Sequence, residues 1–388
     1  MDSEIVNGFS STTTTFLPDI TNGSEFIGNL SNIIESPLGY CGTSLKPFQK
    51  WYGSFHSYTS LTICVLGVIA NILNLIVFTR KSMRNPTNII LAGLALADLL
   101  KTLEYVPYAI YLTFPNSRTY AWAVYVLFHS NFSQICHTAS ILLTVTLACW
   151  RYIMIANFGL GNTLCSRQRA KWAVGFSYMS SPLLCIPIYL SFSVKPSPLT
   201  RTKKAATYPE YVVNLSDLAD QKANFWFYSV VIKIIPCILL TVLSLCLIYS
   251  IIQAKKRKQI LLASSQLIRA KFASARTAST KSEHGPIGSD LVTRMLLAVN
   301  LLFLMTEFPQ GILGLVSAML GDIFFKSCYI PLSDVMDFMA LLNSALNFIL
   351  YYLMSSKFRE TVRQLFFSCG DRIGPTEDLN RVYTIKGN

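Results

Sequence analysis

The sequence predicts an all-α membrane protein, a bundle of seven transmembrane helices followed by a short amphipathic eighth. Three observations predict it. Long, mostly apolar stretches recur at 57–79, 87–111, 122–155, 171–192, 223–252, 290–319 and 330–354, each able to cross a hydrocarbon core of about 30 Å as a helix rising about 1.5 Å per residue. Charge is scarce, 14% of the 388 residues against 52% hydrophobic, where soluble domains carry about a quarter. Strand-sized alternating segments of a barrel are absent, and an open sheet would leave backbone groups unpaired in lipid.

The elements follow in order. An arm over 1–56 opens polar and low in complexity and turns aromatic near Tyr40, Phe48, Trp51, Tyr52 and Phe55, where it is expected to cap the bundle. The seven-helix domain over 57–354 includes a basic third loop, about 253–289, rich in Ser, Thr and Ala. Residues 355–369 alternate cationic and apolar positions at helical spacing, as in an eighth helix lying on the inner leaflet. A short polar tail, 370–388, completes the chain.

The net charge of +13 is a topology signal rather than a mark of nucleic-acid binding. Its cations gather in alternate loops: Arg80, Lys81 and Arg84; Arg167, Arg169 and Lys171; then the run from Lys255 to Lys258 and on to Lys281. The positive-inside bias places these loops in the cytosol, facing anionic lipid, and the N-terminus outside a multi-pass chain at the plasma membrane. Sequons at Asn22, Asn29 and Asn214 then fall on the outer side, as glycosylation requires, while Asn131 lies inside span three and is expected to stay bare. The basic group Lys195, Arg201, Lys203 and Lys204 in the outer loop after span four runs against the rule locally. An acidic start with Asp2 and Glu4 gives no cationic signal-peptide front, so the first span is expected to act as its own insertion signal.

Of ten cysteines, only Cys41 and Cys328 fall on the oxidising side, where a bridge persists; a disulfide between them is expected. Cys64, Cys136, Cys149, Cys185, Cys237 and Cys246 lie in spans as small hydrophobes. Cys369, after Leu365, Phe366 and Phe367, is a candidate for palmitoylation.

Polar residues inside the spans need a reason. Asp98 sits mid-span, where a charge costs about 2.5–3.5 kcal/mol on insertion scales. Asn71, Asn74, Ser140, Asn343, Ser344 and Asn347 lie at depths where they can converge on it. Nearer the outer side lie Lys101, Glu104, Tyr105, Tyr108, His129, Ser133, His137, Glu307, Gln310, Asp334 and Asp337, more ionisable groups than packing requires. Lys101 and Glu104, three apart on one face, form a self-neutralising pair as the alternative to a ligand role. Lys233 either reaches upward or pairs with an acid. A transporter or channel also explains intramembrane charge, but no inverted repeat or paired interrupted helices are seen. Dispersed His56, His129, His137 and His284 offer no hydrolase or metal spacing, so no enzyme activity is expected.

The ordered set of Asn71, Leu94-Ala-Leu-Ala-Asp98, Trp150-Arg151-Tyr152, Pro236, Phe303 to Pro309 and Asn347-Phe-Ile-Leu-Tyr351 resembles the rhodopsin-like (class A) G-protein-coupled receptors across all seven spans. The resemblance implies a sodium pocket at Asp98, Ser140, Asn343 and Ser344 with Asn347 beside it, an allosteric ion being the only cofactor expected. It also implies coupling to a heterotrimeric G protein through Arg151, Tyr152 and Tyr351. Departures are plain. Trp150 replaces the acid before the arginine, Phe348 replaces the proline of the last motif, and Glu307 stands where a tryptophan is usual. Val126 stands where a cysteine would bridge span three to the next outer loop. An amine-binding aspartate is missing, Ser133 standing there, and the last span has no lysine for a retinal Schiff base.

Tyr40-Cys41-Gly, Asn85-Pro-Thr-Asn88, Glu104-Tyr-Val-Pro107, Thr146-Leu-Ala-Cys-Trp-Arg-Tyr152 and Thr306-Glu-Phe-Pro-Gln-Gly311 resemble the invertebrate myosuppressin and FMRFamide-related peptide receptors and their nematode relatives, from about Tyr40 to helix eight. That resemblance implies an amidated peptide ending in Arg-Phe and signalling through Gi/o. The ligand-binding residues expected are Glu104, Tyr105, Tyr108, His129, Ser133, His137, Glu307, Gln310 and Asp337, with Glu104 the first choice for the peptide arginine.

Overall fold

Seven long helices form the bundle in a computed structural model that describes residues 40–41, 45–113, 119–156, 161–196, 211–216, 221–272 and 287–367. Asn22, Asn29, Cys369 and the tail over 370–388 lie outside the described residues. The first four helices are α1 (Leu45–Thr79), α2 (Pro86–Thr113), α3 (Tyr120–Ala156) and α4 (Arg167–Leu184, continued by Ile186–Ser191). The fifth, α5, is composite: α-helical over Gln221–Trp226, π-helical over Phe227–Ile234 and α-helical again over Ile235–Phe272. Then come α6 (Ile287–Leu320), α7 (Ile330–Met354, entered through Asp322–Phe324 and a π turn at Phe325–Tyr329) and α8 (Ser356–Phe367).

Six of the seven are long and apolar enough to cross a membrane among the described residues. The other, α2, carries Asp98, Lys101 and Glu104 within its 28 residues. Trp172, Phe176, Met179 and Leu183 on α4 recur at helical spacing and are all exposed, the outward stripe of a helix whose solvent on that side is lipid.

Local sequence explains where elements begin and end. Ser166 caps α4 by accepting a hydrogen bond from the Arg169 amide at 3.3 Å. Gly321, at φ 75°, ends α6 in the left-handed conformation that glycine enters without a Cβ penalty. The first helix starts at Leu45, ahead of the boundary expected near 57. Its added turns are bound by aromatic stacking, Phe48 on Tyr52 at 5.5 Å and Trp51 on Phe55 at 6.3 Å. On the cytosolic side α5 runs to Phe272 and α6 begins at Ile287, so both flanks of the expected third loop are helical.

The loop after α4 forms an antiparallel hairpin, β1 (Phe192–Pro196) and β2 (Tyr211–Leu215), with Asn214 opposite Ser193. No sequence signal had been read for it. With Val126 in place of a bridging cysteine, the hairpin is held to α3 by packing: Tyr211 meets Tyr120 edge-on at 5.1 Å. The disulfide lies elsewhere, between Cys41 and Cys328, with Cα atoms 5.5 Å apart, within the usual span of such a bridge. It joins the chain ahead of α1 to the entry of α7, where Tyr40 also packs on Phe324 at 5.9 Å. Non-reducing peptide mapping is expected to recover this single cross-link, with Cys64, Cys136 and Cys185 as free thiols; free thiols at both Cys41 and Cys328 would contradict it.

The core is thickest in the inner half, where Leu91, Leu94, Leu143, Leu147 and Trp150 pack with Tyr351 and Phe358. Here two of the sequence departures find their place. Trp150 is buried in this cluster, and Phe348 stacks near Tyr352 at 6.1 Å and meets Phe358 edge-on at 5.8 Å, so α7 keeps its ladder where a proline would interrupt it. The next helix, α8, is tied in by Phe358 and by Arg359, whose guanidinium donates to the carbonyls of Tyr352 and Leu353 at the end of α7.

Candidate functional site

Four polar tiers run through the bundle. Innermost of the buried ones is Asp98. Ser140 of α3 donates to its Oδ1 at 3.0 Å and Asn347 of α7 to its Oδ2 at 2.8 Å. Asn71 of α1 donates to the Ser344 carbonyl at 3.1 Å and Asn74 to Asn71 at 3.3 Å. Of the six residues expected to converge on Asp98, Ser140 and Asn347 bond it directly, while Asn71, Asn74 and Ser344 bond neighbouring groups and Asn343 is buried. Asn347 Oδ1 has no donor.

One turn outward lies an ionic cluster that sequence reading left undecided. The Lys101 ammonium donates to His137 Nδ1 at 3.2 Å and to the Ala340 carbonyl at 3.3 Å. On its other side, His137 Nε2 lies between two groups, 3.0 Å from Glu307 Oε2 and 2.8 Å from the Lys233 ammonium. Lys233 donates to the same Glu307 oxygen at 2.5 Å and to Gln310 Oε1 at 2.8 Å. Lys233 and Glu307 are 1% and 0% exposed, so this ion pair is wholly desolvated. One cluster thereby connects α2, α3, α5, α6 and the α7 backbone.

The π-helical turns of α5 explain how Lys233 reaches inward, since one extra residue per turn re-aims the side chains that follow. Two glycines of α6 admit that backbone. A Cβ on Gly311 would meet Lys233 Cβ at 3.1 Å, and one on Gly314 would lie 2.3 Å from Ser229 Oγ. A mid-span lysine needs an acid; Glu307, at the depth of Pro309 on the neighbouring helix, was the signal available for finding this pair.

The third tier joins the outer ends of α2 and α3. His129 Nδ1 donates to both oxygens of Glu104, at 2.9 and 2.8 Å, and Tyr125 donates to the Glu104 carbonyl at 3.2 Å. Tyr108 stacks on His129 at 4.1 Å, and Tyr105 meets Tyr108 edge-on at 5.4 Å while its hydroxyl bonds His56 at 3.4 Å. Glu104 and Lys101 therefore have separate partners, and the self-neutralising pair on α2 is corrected: three residues of helix turn them toward different neighbours on α3. Ser133, half-buried, lies one turn outward of His137 on the same face of α3.

The outermost tier is α7. Asp337 shares a helix face with Ala340, Leu341 and Ser344, all buried, yet is itself exposed. Asp337 is thus a solvent-accessible carboxylate on a helix face whose next residues inward are buried. No salt bridge to it is found among the described residues, and Asp334 lies one turn further out with its carboxylate close to Gly53 of α1.

At the cytosolic end Arg151 is buried and its Nε has no partner. With Trp150 turned into the core, no acid restrains this guanidinium among the described residues. Tyr152 is half-buried beside it; Tyr351 is fully buried, edge-on to Phe78 at 5.2 Å, with its hydroxyl unpaired. Asn300 of α6 donates to Ser244 of α5 at 3.2 Å, a fastener between these helices that sequence reading missed.

The sequence profile of the serpentine type 7TM GPCR chemoreceptor family Srw matches residues 58–369. The chain belongs to this family of G-protein-coupled receptors. The receptor is 30% identical over 353 residues to the G-protein coupled receptor dmsr-1 of Caenorhabditis elegans, covering 82% of this receptor and 69% of that protein. It is 25% identical over 327 residues to the FMRFamide receptor of Drosophila melanogaster, 78% of this chain and 52% of that one. Squid rhodopsin superposes with a TM-score of 0.60 over 84% of the receptor and 88% of its own chain, at 16% identity, a likeness of fold. A seven-helix receptor of this family is a multi-pass membrane protein and not an enzyme, in agreement with the expectation from its polar residues.

Proposed function

We propose that this receptor responds at the plasma membrane, N-terminus outside, to an amidated neuropeptide ending in Arg-Phe and signals through Gi/o. The observation that carries the reading is the exposed Asp337 carboxylate, on the same face of α7 as buried Ala340, Leu341 and Ser344 and with no salt-bridge partner among the described residues. A guanidinium presents five donors in a planar fork that a carboxylate answers with paired charge-assisted bonds, and tyrosines suit a terminal phenyl ring. Glu104 and Glu307 already hold partners of their own, so Asp337 displaces Glu104 as first choice for the arginine. Tyr105, Tyr108, His129 and Ser133 would line the remainder of the pocket, with His137, Glu307 and Gln310 as its floor. The likeness to an FMRFamide receptor supports the same class of ligand.

Binding at Asp337 would favour a state in which α6 moves and Arg151, Tyr152 and the basic flanks of the third loop meet the G protein; the peptide must bind that state more tightly to shift it. Glycosylation at Asn22, Asn29 and Asn214 and palmitoylation at Cys369 belong to the same proposal. Its test is nucleotide exchange on added Gi/o by the purified receptor in vesicles, against a panel of amidated peptides. Exchange driven by Arg-Phe-amide peptides, and weakened when the terminal amide is a free acid, is expected; solute flux without exchange would overturn the reading.

A further inference from the structure

The oxygen set at Asp98 suits a hard cation, with Asn347 Oδ1 lacking any donor, but the charge of that cation is already present in the chain. Lys101 lies three residues outward of Asp98 on α2, and both are buried, Asp98 at 1% and Lys101 at 5% exposure. The contacts of Lys101 lie on the helices that hold Asp98, one turn outward of Ser140 on α3 and two turns outward of Asn347 on α7. On α3, His137 lies one turn from Ser140; on α7, the Ala340 carbonyl that accepts from Lys101 also accepts from Ser344 Oγ at 3.2 Å. The ammonium therefore sits outward of Asp98, held by the same three helices that hold Asp98 itself. Charge balance agrees: in these two buried tiers Asp98 and Glu307 face Lys101 and Lys233.

We propose that Lys101 is a tethered counter-cation of Asp98, standing in for the diffusible sodium ion that the family resemblance implies. A sodium ion at Asp98 would lie beside an ammonium. Like charges about 6 Å apart at an effective dielectric of about 20 repel enough to weaken binding about 100-fold. The consequence is a receptor whose state does not track sodium, with the Asp98 tier neutralised by a group that also touches the cluster reaching Glu307.

The test needs no ligand. The melting temperature and basal nucleotide exchange of purified receptor are measured as sodium chloride replaces N-methylglucamine chloride at constant ionic strength, so that screening is held fixed. Wild type and Lys101→Arg are expected to show no sodium dependence. Lys101→Met is expected to gain one, with a rise in Tm of about 2 °C or more at saturation and lower basal exchange, and Lys101→Met combined with Asp98→Asn to lose it. A sodium response in wild type that Asp98→Asn removes would overturn the proposal. So would a surface-expressed Lys101→Met receptor that remains blind to sodium, because the Asp98 oxygens would then be a polar core with no cation site to fill.

Discussion

Glu307→Gln is expected to be the most damaging single exchange in the receptor, at about 3–5 kcal/mol of stability. Removing this carboxylate leaves the Lys233 ammonium, wholly buried, with only an amide oxygen and an imidazole within reach. Lys233→Met should cost less, since His137 Nε2, 3.0 Å away, remains to donate a hydrogen bond to Glu307. The double variant Lys233→Met with Glu307→Leu removes both charges and is expected to recover most of the lost stability, because a desolvated pair replaced by apolar groups of similar size is often neutral. Melting of detergent-purified protein, with surface labelling in cells, gives the coupling energy directly. Additive losses in the double variant would show that Lys233 and Glu307 do not act as a pair. An intact double variant should still fail to respond to agonist if the cluster transmits from the outer tiers to α6.

How much of this was legible in the sequence differs by tier. The helices were read from apolar length and low charge, because lipid admits few other solutions to backbone hydrogen bonding. Asp98 and its partners Ser140 and Asn347 were placed by depth alone, since a mid-span carboxylate must be satisfied by residues at its own level. The Cys41–Cys328 bridge was legible because topology left no other outer cysteines. What one chain could not give is rotation about each helix axis. Lys233 faces Glu307 through a π-helical stretch that shifts the face of α5, and the 3.6-residue period does not contain that shift. Glu104 was preferred for its position near the outer end of α2, but its partner His129 lies on another helix. Whether Asp337 faces a ligand depends on how α7 is turned, which sequence does not carry. The outer hairpin was missed because its strands are short, with Lys195 and Pro196 in one of them and a masking run of polar residues between them in sequence.

Asp337→Asn is expected to weaken agonist binding by about 2–5 kcal/mol, which is about 30-fold to several-thousand-fold, while leaving folding intact. Exposure is the reason for both halves. Without peptide the carboxylate is solvated, so its loss disturbs no internal pair; with peptide it is covered, and the guanidinium above it would be desolvated without a partner. Glu104→Gln removes the charge and one of the two oxygens that accept from His129 and should perturb the aromatic wall formed by Tyr105 and Tyr108, lowering affinity for any peptide whether or not it carries arginine. The two exchanges thus separate recognition of charge from maintenance of the pocket.

A double-mutant cycle on the peptide arginine tests this account most directly. Affinities are measured for wild-type receptor and Asp337→Asn, each with an Arg-Phe-amide peptide and with its citrulline counterpart, and the same cycle is run for Glu104→Gln. The account predicts a coupling of about 1.5 kcal/mol or more at Asp337 and little at Glu104, with all receptors present at the surface. Coupling near zero at Asp337 would leave the exposed carboxylate of α7 without its guanidinium and contradict the assignment.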